Sequence, residues 1–565
     1  MERFRRRILS LLAEATAKPP ESIVLERPRD RAIADLAFPC FGLAKERREP
    51  PPKIAAAIAG ALSGKIEDVE VRAAGPYVNF TIDRAALAAE VLPAILAEGD
   101  RWGGSEEGRG RTVVLDFSSP NIAKPFSVGH LRSTVIGAAI YRILAHGGHR
   151  CVGVNHLGDW GMQFGRLIVA LRRWGDLSRL ETDPIAHLHE IYVRFHEEEK
   201  GPDGPALVAE ARAAFLALES GKENEERGLW RRLRELSLRE FDRIYGMLGV
   251  RFDEIRGESH YETHLAPTIE RLVGAGIATE SEGALVVDLT EEKMPPCILR
   301  TADGTTLYAT RDLAAAFDRK REFDFWKALY VVGSDQRLHF RQLRAVLRRL
   351  GPPWAEDVVH VDFGLLLDPK GKMRTRAGNV VYLEEVLLSA VERVRRIVAE
   401  KNPDLADVEG VARAVGIGAV VFHDLKTSRV KDVDFDWDAV LNFDGETGPY
   451  LQYTHARFGS IVRKAGAEAG AEGIDFERLR DAGALLGRLA DFPRIVGEAG
   501  ARHEPSLLAG YLLDLATVAN AFYRDHRVIG VEEPLHRARL LLVEGVRRTL
   551  RIGLGLLGVE APEEM

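Results

Sequence analysis

Cysteine is nearly absent. Cys40, Cys151 and Cys297 are the only three in 565 residues and lie far apart, which excludes a disulfide framework and a Cys-based zinc site and makes a reducing cytoplasm the natural compartment. Long apolar runs are missing too: none approaches the roughly 18–20 residues of a membrane-spanning helix, so no membrane partner is expected. Charge of one sign is scarce. A net charge of −7 gives no strong basic field of the kind that announces a nucleic-acid binder, although a large enzyme can carry basic patches on an acidic body. His189-Glu190 lacks a second histidine four residues after the first, so the zinc-protease pattern fails and no metal ligands are expected.

What remains is an ordinary folded composition, 46% hydrophobic and 29% charged, in a chain long enough for about three to five domains. Glu2 and Glu14 argue against a targeting peptide. Phe4, Ile8, Leu11, Leu12 and Ala15 recur at helical spacing, which predicts an amphipathic first helix. Residues 1–105 read as a small α+β domain, with helices at 1–16 and 52–63 and strands at 71–74 and 77–81. The Gly-rich stretch 102–110 reads as a linker. Next come a strand (TVVLDF, 112–117), a helix ended by glycines (129–148) and a second strand (CVGVNH, 151–156). This is the βαβ signature of a doubly wound parallel sheet. The first half of that α/β domain spans 106–170, and a charged, mostly helical insertion fills 171–283. The sheet resumes over 284–345 with ALVVDL (284–289) and ALYVVGS (328–334). Residues 346–407 form a further region, and 408–565 read as an all-α bundle.

The loop FSSPNIAKPFSVGHLRST (117–134) leaves the first strand and opens a helix near Gly129-His130. A helix N-terminus presents free N–H groups and the positive end of its dipole to phosphate. Gly129 admits a ligand close to the backbone, His130 is a donor, and Lys124 adds charge, which together suit a nucleotide triphosphate. Neither GxxxxGK[ST] nor GxGxxG is present, which removes the P-loop and dinucleotide readings. On a helix, Tyr308 and Asp312 share one face, where a ring and a carboxylate could grip one ligand.

SSPNIAKPFSVGHLRST resembles the HIGH-motif region of class I aminoacyl-tRNA synthetases, specifically the arginyl-tRNA synthetases. NHLGDWGMQFG (155–165), LYATRDLAAAFDR (307–319), YVVGSDQRLHFRQL (330–343) and FDGETGPYLQYTHAR (443–457) resemble further segments of that family in the same order, and LDPKGKMRTRAGNVVYLEEVL (367–387) resembles its KMSKS loop. The resemblance implies a Rossmann-type catalytic domain with a helical insertion, an N-terminal domain facing the tRNA D-loop, and a C-terminal helical anticodon-binding domain. The implied reaction converts L-arginine and ATP, with Mg²⁺ accompanying the ATP and no zinc, to arginyl-adenylate, then transfers arginine to the terminal adenosine of tRNA(Arg). A cytoplasmic monomer is implied.

By the same resemblance, His130, Lys124, Lys372 and Arg376 are catalytic; Ser127, Gly129, Gly333 and His339, with His130 and Lys372, bind ATP. Asn121, Glu258, Tyr308, Asp312 and Gln336 hold arginine, with Glu254 competing with Glu258 for the second guanidinium-facing acid. Tyr77 and Asn79 are implied to meet the D-loop, and Tyr453, Arg457 and Met565 the anticodon. Ser127 stands where the motif has its first histidine, Arg376 where it has its second lysine, and Glu564 where an arginine is common. A catalytically weak paralogue that binds tRNA or arginine is the alternative, and a class I synthetase for lysine is the specificity to exclude.

Overall fold

A computed structural model describes the chain except residues 29–32, 303, 369–370, 373–380, 444 and 467–468. The first helix, Glu2–Thr16, buries Phe4, Ile8 and Leu12. It packs beside an antiparallel sheet of Leu36–Pro39, Tyr77–Ile82 and Val69–Ala74, with Tyr77–Ile82 in the middle. Alternation along that strand sends Val78, Phe80 and Ile82 into the core and puts Tyr77 and Asn79 on the opposite face.

The central sheet is parallel. Its strands are β1 (Thr112–Asp116), β2 (Arg150–Asn155), β3 (Glu254–Ile255), β4 (Lys327–Gly333) and β5 (Val358–Phe363), in the order β5-β4-β1-β2-β3. Among the helices are α1 (Leu131–His146), α2 (Glu225–Leu248), α3 (Tyr308–Phe323), α4 (Arg337–Leu350), α5 (Val408–Leu425), α6 (Gly448–Ala465) and α7 (Glu533–Leu557). As the central strand, β1 is apolar on both faces: Val113 and Leu115 join one core and Val114 another. Because β1 is flanked by β2 on one side and β4 on the other, the strand order reverses there. The carboxyl ends of β1 and β4 therefore mark the switch point at which open α/β sheets take their ligands.

Three expectations are corrected. ALVV (284–287) does not belong to the parallel sheet. It pairs antiparallel with Thr279–Ser281 and Cys297–Arg300 in a separate small sheet, so the second half of the parallel sheet is β4 and β5. The stretch 102–110 is a packed connection, not a loose linker. Trp102 is buried against Phe492, and Gly108 N–H donates to Gly147 O at 3.0 Å, because its glycines let the chain lie flat on the end of α1. Finally, Ser506–Asp525 is long and apolar enough to cross a membrane by length and composition alone. Its Leu508, Leu512, Leu515, Ala516 and Ala519 are buried in the helical bundle, which accounts for its apolarity.

The N-terminal and C-terminal regions touch directly. Arg480 pairs with Asp83 at 2.5 Å, and Arg551 with Asp100. The C-terminal residues cross the bundle as a fastened strap: Gln452 Nε2 donates to Glu560 O at 2.7 Å, His455 Nδ1 lies 3.0 Å from Pro562 O, and Asn402 Nδ2 donates to Met565 O at 3.2 Å.

Candidate active site

The loop from β1 to α1 is strained and heavily tied. Ser118, Ser119 and Ala123 have φ of 70°, 49° and 58°, a region costly for residues with a Cβ. Hydrogen bonds hold them there. Ser118 N–H donates to Ser133 Oγ (2.8 Å), Ser119 Oγ–H to Asp116 Oδ1 (2.8 Å) and Ala123 N–H to Ser237 Oγ of α2 (2.8 Å). Strain of this kind persists only where the surroundings over-determine it, and it sits directly after β1, at the switch point of the sheet.

Past Pro125, a 3₁₀ turn, Val128–His130, leads into α1. Ser127 caps it reciprocally: its side chain accepts from the His130 backbone, while Ser127 N–H donates to His130 Nδ1 at 3.1 Å. Ser127 therefore has a structural task of its own. Burial is the main cause holding the His130 pKa below its ordinary value; the Ser127 backbone opposes it, and Lys124 adds a smaller lowering. His130 is thus neutral near pH 7, with Nδ1 turned to Ser127, 3.1 Å from its backbone N and 3.2 Å from its O and Oγ. Gly129 is exposed, and a Cβ there would come no closer than 3.4 Å to Ser127 Oγ, so packing does not demand the glycine. Lys124 is half-buried and has no ion-pair partner among the described residues. Gly333 ends β4 beneath Asp335, and Gln336 closes the short turn that opens α4.

Carboxylates gather on the other side. Asp312 lies one turn into α3, and its Oδ2 meets His339 Nε2 of α4 at 2.5 Å. Burial opposes ionisation of Asp312, but His339, His156 and Arg319 together hold its carboxyl below the usual range. The half-exposed Tyr308 ring stands edge-on to His339, 5.1 Å away, so Tyr308 and Asp312 do share a face. His339, expected on the ATP side, is a partner of the Asp312 carboxylate. Glu258 begins the 3₁₀ turn Glu258–Tyr261 and has no ion pair among the described residues. Burial is the main cause raising its carboxyl to about 7; Arg311 opposes the shift, and Asp159 and Asp312 add to it. Glu254 instead pairs with Arg256 at 3.2 Å, so of the two candidates Glu258 is the acid beside Asp312. Asn121 is exposed and lies against Gly158, where a Cβ would collide with its Oδ1.

Several supporting residues escape sequence reasoning. Buried Asp159 accepts from Ser259 N–H (2.9 Å) and Oγ–H (2.8 Å) and so pins the turn that carries Glu258. Buried Arg319, two helical turns past Asp312, pairs with Asp116 at 2.8 Å and contacts His156 Nδ1 at 3.3 Å. The seven-residue spacing of Asp312 and Arg319 on one helix was a readable signal; Asp116 and Asp159, far away in the chain, offered none.

Of the remaining expected residues, Arg376 lies outside the described residues, as does the side chain of Lys372, whose backbone forms the short strand Gly371–Lys372. Tyr77 is half-buried, 5.6 Å from the ring of exposed Phe41, whereas Asn79 is buried. Tyr453 and Arg457 are both exposed on one face of α6, the latter over the Tyr523 ring. Glu564 pairs with Arg463 at 3.2 Å, which gives the unexpected acid a partner next to Met565. Among the described residues no group of three His, Cys, Asp or Glu is disposed to hold a metal ion.

Comparison with known proteins agrees with this layout. Residues 91–437 match the family profile described as tRNA synthetases class I (R), catalytic domain; residues 2–82 match the arginyl tRNA synthetase N terminal domain, and 451–565 the DALR anticodon binding domain. An arginine–tRNA ligase of Exiguobacterium sp. is 48% identical over 544 residues, covering 96% of this chain and 95% of that protein. One of Alkaliphilus metalliredigens is 42% identical over the full length of both. The structure superimposes on Thermus thermophilus arginyl-tRNA synthetase with a TM-score of 0.84 at 31% identity, covering 99% of this chain and 100% of that one. The fold, the family profiles and these relatives converge: this chain belongs to the arginyl-tRNA synthetase family of class I aminoacyl-tRNA ligases.

Proposed function

We propose that the chain charges tRNA(Arg) with L-arginine in two steps at the β1/β4 switch point. Arginine's carboxylate oxygen attacks the α-phosphorus of ATP, forming arginyl-adenylate and releasing pyrophosphate. A ribose hydroxyl of the terminal adenosine then attacks the arginyl carbonyl, and AMP leaves. Mg²⁺ enters as part of the ATP substrate and helps to neutralise its phosphates.

The observation that carries this reading is the division of charge across the switch point. Neutral His130 and unpaired Lys124 stand at the helix start, on the phosphate side. Asp312 and Glu258 are near enough for the Asp312 charge to add to the rise of the Glu258 carboxyl, whose main cause is burial. A guanidinium is a planar fork suited to two carboxylates. Tyr308 covers that fork, while Asn121 and Gln336 hold arginine's own amino and carboxylate groups. Lys372 and Arg376 supply charge to the departing pyrophosphate, where it stabilises the transition state most. Tyr77 and the exposed face of α6 bearing Tyr453 and Arg457 meet the tRNA, with Met565 beside it. Three free thiols suit action in the cytoplasm, and nothing in this division of labour calls on a second copy of the chain.

The test is charging of unfractionated tRNA with labelled arginine, with lysine in parallel. Arginine is incorporated and lysine is not, because its single ammonium leaves buried acceptors unpaired. Binding of tRNA without charging would support the paralogue instead.

Glu258 makes the reaction sensitive to pH. With its carboxyl near 7 in the free protein, it is part-protonated at neutrality, and a bound guanidinium lowers it. Below about pH 7 arginine must displace that proton, so its KM rises by up to about tenfold per pH unit and levels off above it. Glu258→Gln flattens the profile. A wild-type KM constant from pH 5.5 to 8 would exclude this account.

A further inference from the structure

Two residues past His130, Arg132 is buried in the first turn of α1, followed by the buried Ser133 and Thr134. Its guanidinium is spread over four partners from three parts of the chain. Nε pairs with Asp424 Oδ2 of α5 at 2.9 Å, Nη1 donates to Lys431 O at 2.8 Å and to Leu365 O at 3.4 Å, and Nη2 donates to Arg429 O at 3.4 Å. Its plane also lies near the Phe363 ring at the end of β5.

Those carbonyls belong to one joint. Gly364 N–H donates to Arg429 O (2.9 Å), Leu365 N–H to Asp432 Oδ1 (2.7 Å) and Val433 N–H to Leu365 O (2.9 Å). Leu366–Asp368 then runs parallel to Val433–Asp434. In sequence, that first strand leads directly to the stretch bearing Lys372.

We propose that Arg132 is a positioning residue for adenylate formation: oriented by Asp424, it fixes the helix that starts at His130 relative to the strand pair from which the chain reaches Lys372. The inference rests on the ATP-dependent activation proposed above. A buried ion pair is weak support for stability compared with apolar packing, so its presence in this helix calls for a geometric reason. The fork supplies one, since its donors point to separate segments at once. A lysine ammonium cannot reproduce that arrangement.

The experiment uses the full-length chain with tRNA present and compares wild type with Arg132→Lys and Asp424→Asn. It reads ATP–pyrophosphate exchange, arginine binding without ATP, and Tm. A displacement of about 1 Å between reacting groups costs on the order of 10²-fold in rate, so exchange kcat in Arg132→Lys falls by about that factor. Arginine affinity stays within about twofold of wild type, because Asp312 and Glu258 lie on other elements. Asp424→Asn keeps an acceptor for Nε and loses less, about tenfold. Unimpaired kcat in Arg132→Lys, or a loss matched by equal losses in arginine affinity and Tm, overturns the positioning role while leaving the function intact. An active fold with no exchange in the wild type refutes the function instead.

Discussion

Asp312→Ala abolishes useful arginine charging. The carboxylate is part-buried, ionised and bonded to His339, so on the proposed function its removal takes away the guanidinium's acceptor and leaves His339 without its partner. Truncating one member of a buried, hydrogen-bonded charge pair costs about 2–5 kcal/mol, a fall of roughly 30- to 5,000-fold in kcat/KM for arginine. Asp312→Asn preserves the shape but not the charge and falls between wild type and alanine. Lysine does not become a substrate, since Glu258 and Tyr308 still frame a site for a planar cation. Steady-state charging with both amino acids measures this. A kcat/KM for arginine within threefold of wild type in Asp312→Ala would remove Asp312 from the site.

The legibility of this site in the sequence follows the range of the forces that build it. β1, its loop and α1 were readable because a strand with an apolar centre, a polar loop and a helix start are consecutive, and each announces itself locally. Tyr308 and Asp312 were readable for the same reason, one helical turn apart. Glu258 could not be separated from Glu254, because β3 is only two residues long and the turn after it is held by Asp159, a hundred residues earlier. ALVV was placed in the wrong sheet because a short buried strand has the same pattern whether its neighbours are parallel or antiparallel; pairing is decided by partners outside the window. Glycines at 103, 104 and 108 carry the composition of a flexible segment, yet here the same lack of side chains permits close packing, Gly103 on Phe492 and Gly104 and Gly108 on the end of α1 and the residues just past it. Arg132 was visible as a cation in the first turn of a largely buried helix, but its partners lie more than 230 residues away.

His130→Ala slows adenylate formation by about 10²–10³-fold, the effect of deleting one preorganised donor to a charge that develops in the transition state. Arginine's KM stays unchanged, because the carboxylates that hold it are on other elements. The reasoning turns on the ring's protonation. Burial keeps the ring neutral against the opposing Ser127 backbone, so the imidazole N–H is a donor at neutral pH and needs no protonation step. The rate therefore shows no inflection attributable to His130 as pH rises above neutrality. His130→Asn, which can still donate, recovers part of the loss. Ser127→Ala removes only a cap, worth about 1 kcal/mol, and weakens the turn without removing the donor, so its effect on kcat is far smaller. Pyrophosphate exchange in the presence of tRNA resolves the three variants. Equal losses in Ser127→Ala and His130→Ala would mean that the serine contacts phosphate directly, and that the capping arrangement gives way when ATP binds.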